Sequence, residues 1–378
     1  MNIFYIAHAR IPTGRAHGLT IVKSCEAFAQ AGAKVSLVLL RRENRSPVDI
    51  FSIYNVPKVF TVHYLYIPEF VYRYTNSLAF LLQTSTFYVS AFFFMLFQSR
   101  KDTIVYTREF PLTLLSLIGF KVIFECHTIS HKQKLFFWFA RRAHRIIAIS
   151  GALKDAFIRE GFEESHILIA PSGVDLSIFA TPISKKDARE KLNLAQDAKI
   201  ILYTGNFTTM GEDKGIADII RALPELAGVT FVAAGGTAPD VERYNSLAKE
   251  VGVDDKVMLF PHAPQSTLAL YQQAADVLLM PFPDTPHYRN HMSPVKMFEY
   301  MASDRPIVAS DLPTIREVLN ETNAAIVLPG NPHSIASAVQ KLLTDSVYGE
   351  ALAKQARADV EQYSWKKRSE RILSFIAK

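Results

Sequence analysis

Short apolar runs alternate with helix-length patterns along almost the whole chain, and this alternation restricts the possible folds more than any other feature. In the first half the runs are "NIFYIAH", "KVSLVLL", "TIVYT", "KVIFEC", "RIIAIS" and "HILIAP". A helix from Leu19 to about Ala31, closed by Gly32, is expected between the first two. It follows a Gly-containing loop, "ARIPTGRAHG". A second series opens with "KIILYTG" and continues through "VTFVAAGG", "KVMLF", "DVLLMPF", "PIVAS" and "AAIVLPG". Strands and helices in strict alternation build βαβ units around a parallel sheet. The polar, turn-rich stretch from Pro171 to about Asp197 separates the two series, with a linker near residues 172 to 190. The expected fold class is therefore α/β, with two doubly wound domains. A length of 378 residues suits two domains better than one. Ligands of such sheets bind beyond the carboxyl ends of the strands, so a cleft between the domains is the expected site.

Charge is distributed unevenly. Residues 1 to 160 hold 20 Lys/Arg and 9 Asp/Glu, a balance of +11, while the remainder holds 42 − 20 = 22 basic and 36 − 9 = 27 acidic residues, a balance of −5. A basic first half suits an anionic partner: a membrane surface, a phosphorylated substrate or nucleic acid. No zinc-finger spacing or basic-aromatic RNA signature occurs, so nucleic acid ranks last. Cys25 and Cys126 are too few for a disulfide framework and fit a reducing compartment. The opening "MNIFYIAHAR" reads as a first strand rather than a signal peptide, and the expected location is the cytoplasm.

"TNSLAFLLQTSTFYVSAFFFMLFQSR", Thr75 to Arg100, carries no charge before its last residue and is long enough to cross a bilayer. Gln83, Thr84, Ser85, Thr86 and Ser90 interrupt its middle, so a buried or membrane-facing helix of the first domain fits better than a span. Exposed Phe, Leu and Tyr beside basic residues would suit peripheral attachment.

Chemistry-bearing residues concentrate at strand ends. In "HMSPVKMFEYMASDRPIVAS", Ser293 reads as an N-cap and Pro294 as the first helical position, opening a helix from Val295 to about Ala302. Val295, Phe298 and Met301/Ala302 form its inward stripe, while Lys296 and Glu299 share another face. A lysine in a first turn opposes the helix dipole unless an anion accepts it. In "YTGNFTTMGEDKGIADII", Gly205 permits a tight turn and Lys214-Gly215 opens the next helix, where the lysine either faces solvent, the commoner case, or reaches a phosphate. A diphosphate between Lys214 and Lys296 satisfies both ammonium groups, and Glu299 then accepts from ribose hydroxyls. His127, directly after "KVIFEC", is placed to bond a substrate hydroxyl or to serve structurally; Arg108 and Glu109 hold a similar strand end. The pairs His127/His131 and His287/His291 lack a third ligand, and no metal site is expected. No P-loop, Gly-x-Ser-x-Gly elbow or dinucleotide fingerprint occurs; Gly14 and Gly18 stand without the third glycine.

With these motifs in place, the chain resembles the retaining glycosyltransferases of family four, which have GT-B architecture. "AHGLTIVKSCEAFAQAGAKVSLV", "AISGALKDAF", "APSGVDLSIF", "YTGNFTTMGEDKG" and "YSWKKRSERIL" are similar to stretches spaced over nearly the whole family chain. "SPVKMFEYMASDRPIVASDLPTIREVL" is the most specific, resembling a subgroup with Ser-Pro-x-Lys-x-Phe-Glu-Tyr-Met-Ala. The resemblance implies an acceptor-binding domain over 1–172, a nucleotide-sugar-binding domain over 173–360 and a helix over 361–378 that crosses back to the first.

It also implies roles. Glu299 matches the second glutamate of the paired-glutamate motif, which serves the donor ribose, and Lys214 the lysine that holds the diphosphate. His127 matches a histidine near the transferred sugar, and Gly18 lies in the loop that approaches the donor. Gly205, Ser293, Pro294 and Val295 complete the donor contacts. Two positions depart from the family: His291 stands where many members have the first glutamate, and Asn206 near a diphosphate arginine. Lys296 is expected to replace part of that charge. The implied reaction is metal-independent transfer of a sugar, with retention, from a UDP- or GDP-sugar to a glycan or lipid-linked acceptor in envelope polysaccharide or glycolipid synthesis. No cofactor is called for. A nucleotide-sugar epimerase and a non-catalytic nucleotide-sugar-binding homologue are the alternatives, and "FPHAP", residues 260–264, is expected to line the base pocket.

Overall fold

A computed structural model describes residues 1–41, 49–67, 77–179, 183–209 and 211–378. Of the segments singled out above, Thr75, Asn76, residues 180–182 of the linker and Met210 lie outside the described residues. The chain divides into two compact units, Met1–Pro171 with Trp365–Lys378, and Ser172–Ser364.

Unit 1 is built on seven strands: β1 (Asn2–Ala7), β2 (Lys34–Leu40), β3 (Thr61–Leu65), β4 (Thr103–Thr107), β5 (Lys121–Cys126), β6 (Arg145–Ala148) and β7 (Ile167–Ile169). They run parallel in the order β3-β2-β1-β4-β5-β6-β7. Alternate residues leave the sheet on opposite faces. Ile3, Tyr5, Leu37, Tyr106 and Ile123 therefore pack together on one face, with Ile372 and Ile376 of the helix Trp365–Ile376. Ile6, Val38, Val105 and Val122 pack on the other face, against Phe87, Ala91 and Met95 of the helix Ser77–Leu96. Each large apolar side chain removed from water in this way contributes about 1.5–3 kcal/mol. The apolar runs do not announce β3: it is an edge strand, half solvated, and reads "TVHYL".

Unit 2 has six parallel strands: β8 (Lys199–Thr204), β11 (Val229–Gly236), β12 (Val257–Pro261), β13 (Val277–Met280), β14 (Ile307–Ser310) and β15 (Ala325–Val327). Their order is β12-β11-β8-β13-β14-β15. A small antiparallel hairpin, β9 (Thr208–Thr209) with β10 (Glu212–Asp213), is inserted after β8. In each sheet the first strand lies in the middle and the chain winds outward from it in both directions. The switch point lies between β1 and β4 in unit 1, and between β8 and β13 in unit 2. Those are the places where a doubly wound sheet opens a crevice at its carboxyl edge.

Two local expectations are corrected. The first long helix covers Ala16–Gln30 rather than starting at Leu19, so Gly18 lies in its first turn and not in a loop. Gly18 is buried, and an added Cβ there would stand 2.5 Å from Tyr54 Oη and 2.6 Å from Thr13 Cγ2. Tyr54 Oη accepts from Thr13 N at 2.8 Å and donates to Thr13 O at 3.0 Å, and the missing side chain makes room for that clasp. At the helix Val295–Ala302, Pro294 rather than Ser293 takes the N-cap position. The Ser293 hydroxyl accepts instead from Ser172 N at 2.8 Å, while Ser293 O accepts from Ser172 Oγ at 2.8 Å.

Candidate functional site

In unit 2 the carboxyl end of β8 collects the cations. Gly205 adopts φ +97 and turns the chain out of the strand. A Cβ on it would lie 3.4 Å from Lys296 Cε and Nζ, so the lysine passes directly over the glycine. Lys296 Nζ sits 3.3 Å from the centroid of the Tyr203 ring and 5.6 Å from that of Phe282. This ammonium is buried and has no hydrogen-bond partner among the described residues. Burial, with Lys214 nearby, pushes its pKa well down, and Glu299 only partly opposes the shift.

Lys214 arrives by way of the hairpin. Its backbone N–H donates to Phe207 O at 3.1 Å. Asp213 accepts from the N–H of Gly215 and from the Tyr244 hydroxyl, which locks the exit of β10. Gly215 has φ +91, and a Cβ on it would run into Pro281 O, the carbonyl that follows β13. Both sides of the switch point thus close around Lys214. Burial lowers the Lys214 pKa to about 8, with Asp240 pulling the other way. Two poorly solvated ammonium groups near one another form a site for an anion.

Glu299 is buried on the same helix as Lys296. Gln265 Nε2 donates to its Oε1 at 2.8 Å and Gln272 Nε2 to its Oε2 at 3.3 Å. Gln272 also donates to Thr204 Oγ1 at 3.1 Å, and Thr204 N donates to Tyr300 Oη at 2.8 Å. Burial raises the Glu299 pKa; Gln265, Gln272 and Lys296 restrain the rise. A carboxylate has about four acceptor sites, so two glutamine donors fix its plane and leave capacity for hydroxyls. Gln265 opens the helix Gln265–Ala274, immediately after "FPHAP", whose first two residues end β12. The inward stripe predicted for Val295–Ala302 is buried, but so are Met297, Glu299 and Tyr300, and the polar face is an interior one.

The remaining candidates of unit 2 are spread more widely. Asn206 O accepts from Tyr203 Oη at 3.0 Å. His291 caps the short helix Pro286–Asn290, with its ring 6.4 Å from that of His287. Burial lowers the pKa of both histidines. No group of three or more His, Cys, Asp or Glu arranged to hold a metal ion occurs among the described residues.

Unit 1 contains a second polar centre, built around Glu125 of β5. This fully buried carboxylate meets Arg108 Nη2 at 2.8 Å, Arg368 Nη2 at 2.8 Å, His127 Nε2 at 2.6 Å and the Tyr106 hydroxyl. Burial alone would raise the Glu125 pKa; Arg368, Arg108 and His127 outweigh that and hold it well below the usual carboxylate range. Burial and Arg108 lower the His127 pKa to about 4, against the pull of Glu125. The imidazole is therefore neutral at physiological pH. It donates Nε2–H to the carboxylate, which leaves Nδ1 as an acceptor for a hydroxyl. Arg108 belongs to this centre, whereas Glu109 turns aside to accept from His8 N at 3.3 Å and Tyr88 Oη at 2.8 Å.

Sequence reasoning missed Glu125, Arg368, Asp213, Gln265 and Gln272. A carboxylate within the apolar run "VIFEC" was a visible signal for Glu125, and the seven-residue spacing of the glutamines one for their shared face. Arg368, 243 residues from Glu125, gave none.

A group 1 glycosyl transferase model matches residues 198–345, and a glycosyltransferase family 4 model matches residues 20–178. Each model covers less than half of the chain, and together they show its likeness to group 1 and family 4 glycosyltransferases. A D-inositol 3-phosphate glycosyltransferase of Xylanimonas cellulosilytica is 28% identical over 57% of this chain and 52% of its own length. An uncharacterized glycosyltransferase of Methanocaldococcus jannaschii is 29% identical over 58% and 56%. The chain thus spans about half the length of the curated relatives it matches. Among solved structures, sucrose-phosphate synthase from Thermosynechococcus elongatus superposes with TM-score 0.78 at 19% identity, covering 100% of this chain and 98% of that one. Anabaena Alr3699/HepE, solved in complex with UDP and glucose, gives 0.75 at 16% identity, covering 100% and 99%. These likenesses and the two parallel sheets make the fold GT-B.

Proposed function

We propose that this protein moves a glycosyl unit from a UDP-sugar to an acceptor hydroxyl with retention of anomeric configuration, in building an envelope polysaccharide or glycolipid. The observation that carries the proposal is the pair of poorly solvated lysines at the end of β8, Lys214 and Lys296, beside the buried carboxylate of Glu299. A diphosphate supplies the hydrogen-bond partners that Lys296 lacks. Glu299, oriented by Gln265 and Gln272, takes the ribose hydroxyls. Support for uridine comes from Alr3699/HepE, solved with UDP-glucose, and from an E. coli trehalose-6-phosphate enzyme bound to UDP-2-fluoro glucose. Retention and the subgroup of the Ser-Pro-x-Lys motif rest on the resemblance of residues 293–302 to that family branch.

In this reading the bond from the anomeric carbon to the diphosphate oxygen breaks, and its electron pair leaves with UDP. The acceptor oxygen bonds to the same face, and its proton passes to the departing phosphate oxygen. Lys214 and Lys296 stabilise the charge that develops on the leaving group, the preorganised electrostatic effect that dominates many transferase sites. Neutral His127 accepts from a sugar hydroxyl. Two ammonium groups provide the positive charge, so turnover is expected to persist in EDTA.

Calorimetry against UDP, GDP, ADP and CDP, followed by turnover of UDP-sugars over an acceptor panel, tests the proposal. Lys214→Ala and Glu299→Ala should each lower kcat/KM at least ~100-fold, about 2.7 kcal/mol, while the variants remain folded. Wild-type turnover in both variants would refute the site. An isomerised sugar nucleotide formed from donor alone favours the epimerase, and nucleotide binding without turnover favours the non-catalytic homologue.

A further inference from the structure

The helix Ser77–Leu96 is apolar on two opposite sides. Ala79, Gln83, Phe87, Ala91 and Met95 are buried, and Phe87, Ala91 and Met95 pack on the sheet of unit 1. The opposite stripe, Leu78, Leu81, Leu82, Val89 and Phe93, is exposed, Phe93 by 58%, and Phe97 just beyond the helix by 86%. A helix of 20 residues is ~30 Å long, so this stripe is far more than a scattered surface leucine.

Two further segments lie beside it in the same layer. The 3-10 segment Phe110–Ile118 packs against the helix Ser77–Leu96 on one side and against the helix Gln133–Ala140 on the other. They add exposed Leu117, Leu135 and Trp138. Over residues 77–145 the exposed cations are Arg100, Lys101, Lys121, Lys132, Lys134 and Arg141, whereas Asp102 is the exposed acid. Glu109 is only partly exposed and Glu125 is fully buried inside the unit. Arg142 lies over the Trp138 ring at 3.5 Å, so the aromatic is itself flanked by charge.

We propose that this layer of unit 1 docks on an anionic lipid surface, with the outer stripe of Ser77–Leu96 lying in the bilayer interface. Apolar side chains that enter the headgroup boundary beside basic residues are what such a surface rewards. The charge excludes the obvious competitor. A two-fold dimer sets a patch against itself, and here that would bring cations against cations. The buried stripe excludes a span, because a helix drawn across the bilayer would strip Phe87, Ala91 and Met95 from the sheet of unit 1.

The test uses the full chain, flotation with vesicles of phosphatidylcholine alone or mixed with phosphatidylglycerol, and light scattering for oligomeric state. The protein should float with the mixed vesicles, at least ~10-fold less with the neutral ones, and be released by about 1 M salt, where the Debye length is ~3 Å. Lys132→Gln/Lys134→Gln/Arg141→Gln should weaken binding about 100-fold, each charge near the surface being worth roughly a factor of five. Val89→Ser/Phe93→Ser should weaken it comparably, with an unchanged melting temperature and unchanged UDP binding. Should that double variant unfold, Phe97→Ser, which is almost fully exposed, reads the same face. Equal binding to both vesicle types, or binding to neither, overturns the proposal. So does a wild-type dimer that Val89→Ser/Phe93→Ser converts to monomer, which assigns the face to a second copy of the chain.

Discussion

Lys296 is the least comfortable residue in unit 2. Its ammonium has no hydrogen-bond partner among the described residues, and the Tyr203 ring beneath it returns about 2 kcal/mol when the amine is charged. The folded state meets this cost by favouring the neutral amine, for Lys296 as for Lys214. A bound diphosphate reverses the preference, so donor binding should take up protons. Lys214 is charged below about pH 8 and loses its charge above it, so UDP affinity should fall as pH rises through about 8. Calorimetry near that pH in buffers of different ionisation enthalpy measures the uptake directly; identical enthalpies would contradict it. Lys296→Met separates stability from function. It should raise the stability of the free protein by about 1 kcal/mol or more, because the cost of burying and deprotonating an unpartnered amine is removed. The same change should weaken UDP at least ~10-fold, or 1.4 kcal/mol.

Among the elements, the hairpin β9–β10 decides where Lys214 goes, and Gly215 decides whether the hairpin closes. Gly215→Ala meets both a left-handed φ and the Pro281 carbonyl, and should cost at least ~3 kcal/mol in urea denaturation, together with UDP binding. Gly211→Ala, with φ +83 and nothing within 4 Å of its Cβ, should cost only the backbone term of ~1–2 kcal/mol. Equal losses would mean that the Pro281 contact is not what matters. Elements announced by long periodic patterns, such as Val295–Ala302, were legible in the sequence. Two-residue strands have no periodicity to read, and β3 is an edge strand whose solvated histidine breaks the apolar run. The start of Ala16–Gln30 was hidden because no side-chain cap marks it.

Across the whole molecule, Arg368 joins the last helix to unit 1 through Glu125 and the carbonyls of Pro171 and Ala170. Arg368→Met leaves a buried carboxylate short of a partner, which should cost unit 1 about 3–5 kcal/mol. Calorimetry should show one transition lowered and the transition of unit 2 unmoved; a joint shift would contradict this. The same centre sets an acid limit. His127 has a folded pKa of about 4, below its ordinary 6.5, so its contribution is complete above about pH 6.5 and lost as pH falls through about 4. Glu125, also depressed, acts in the same direction. The transition of unit 1 should therefore fall with acid, and His127→Gln should flatten that slope. The sequence by itself determined the two parallel sheets, because apolar runs and helical periods are local and repeat every few residues. It also determined that Lys296 and Glu299 are unusual, because a charge inside an apolar pattern stands out, whereas Lys214 in the polar "GEDKG" does not. Tertiary structure alone decided their partners: the Tyr203 ring under Lys296, the glutamines on Glu299, and Arg368 on Glu125. Such contacts join segments far apart in the chain, and their energy depends on distances that no local pattern encodes.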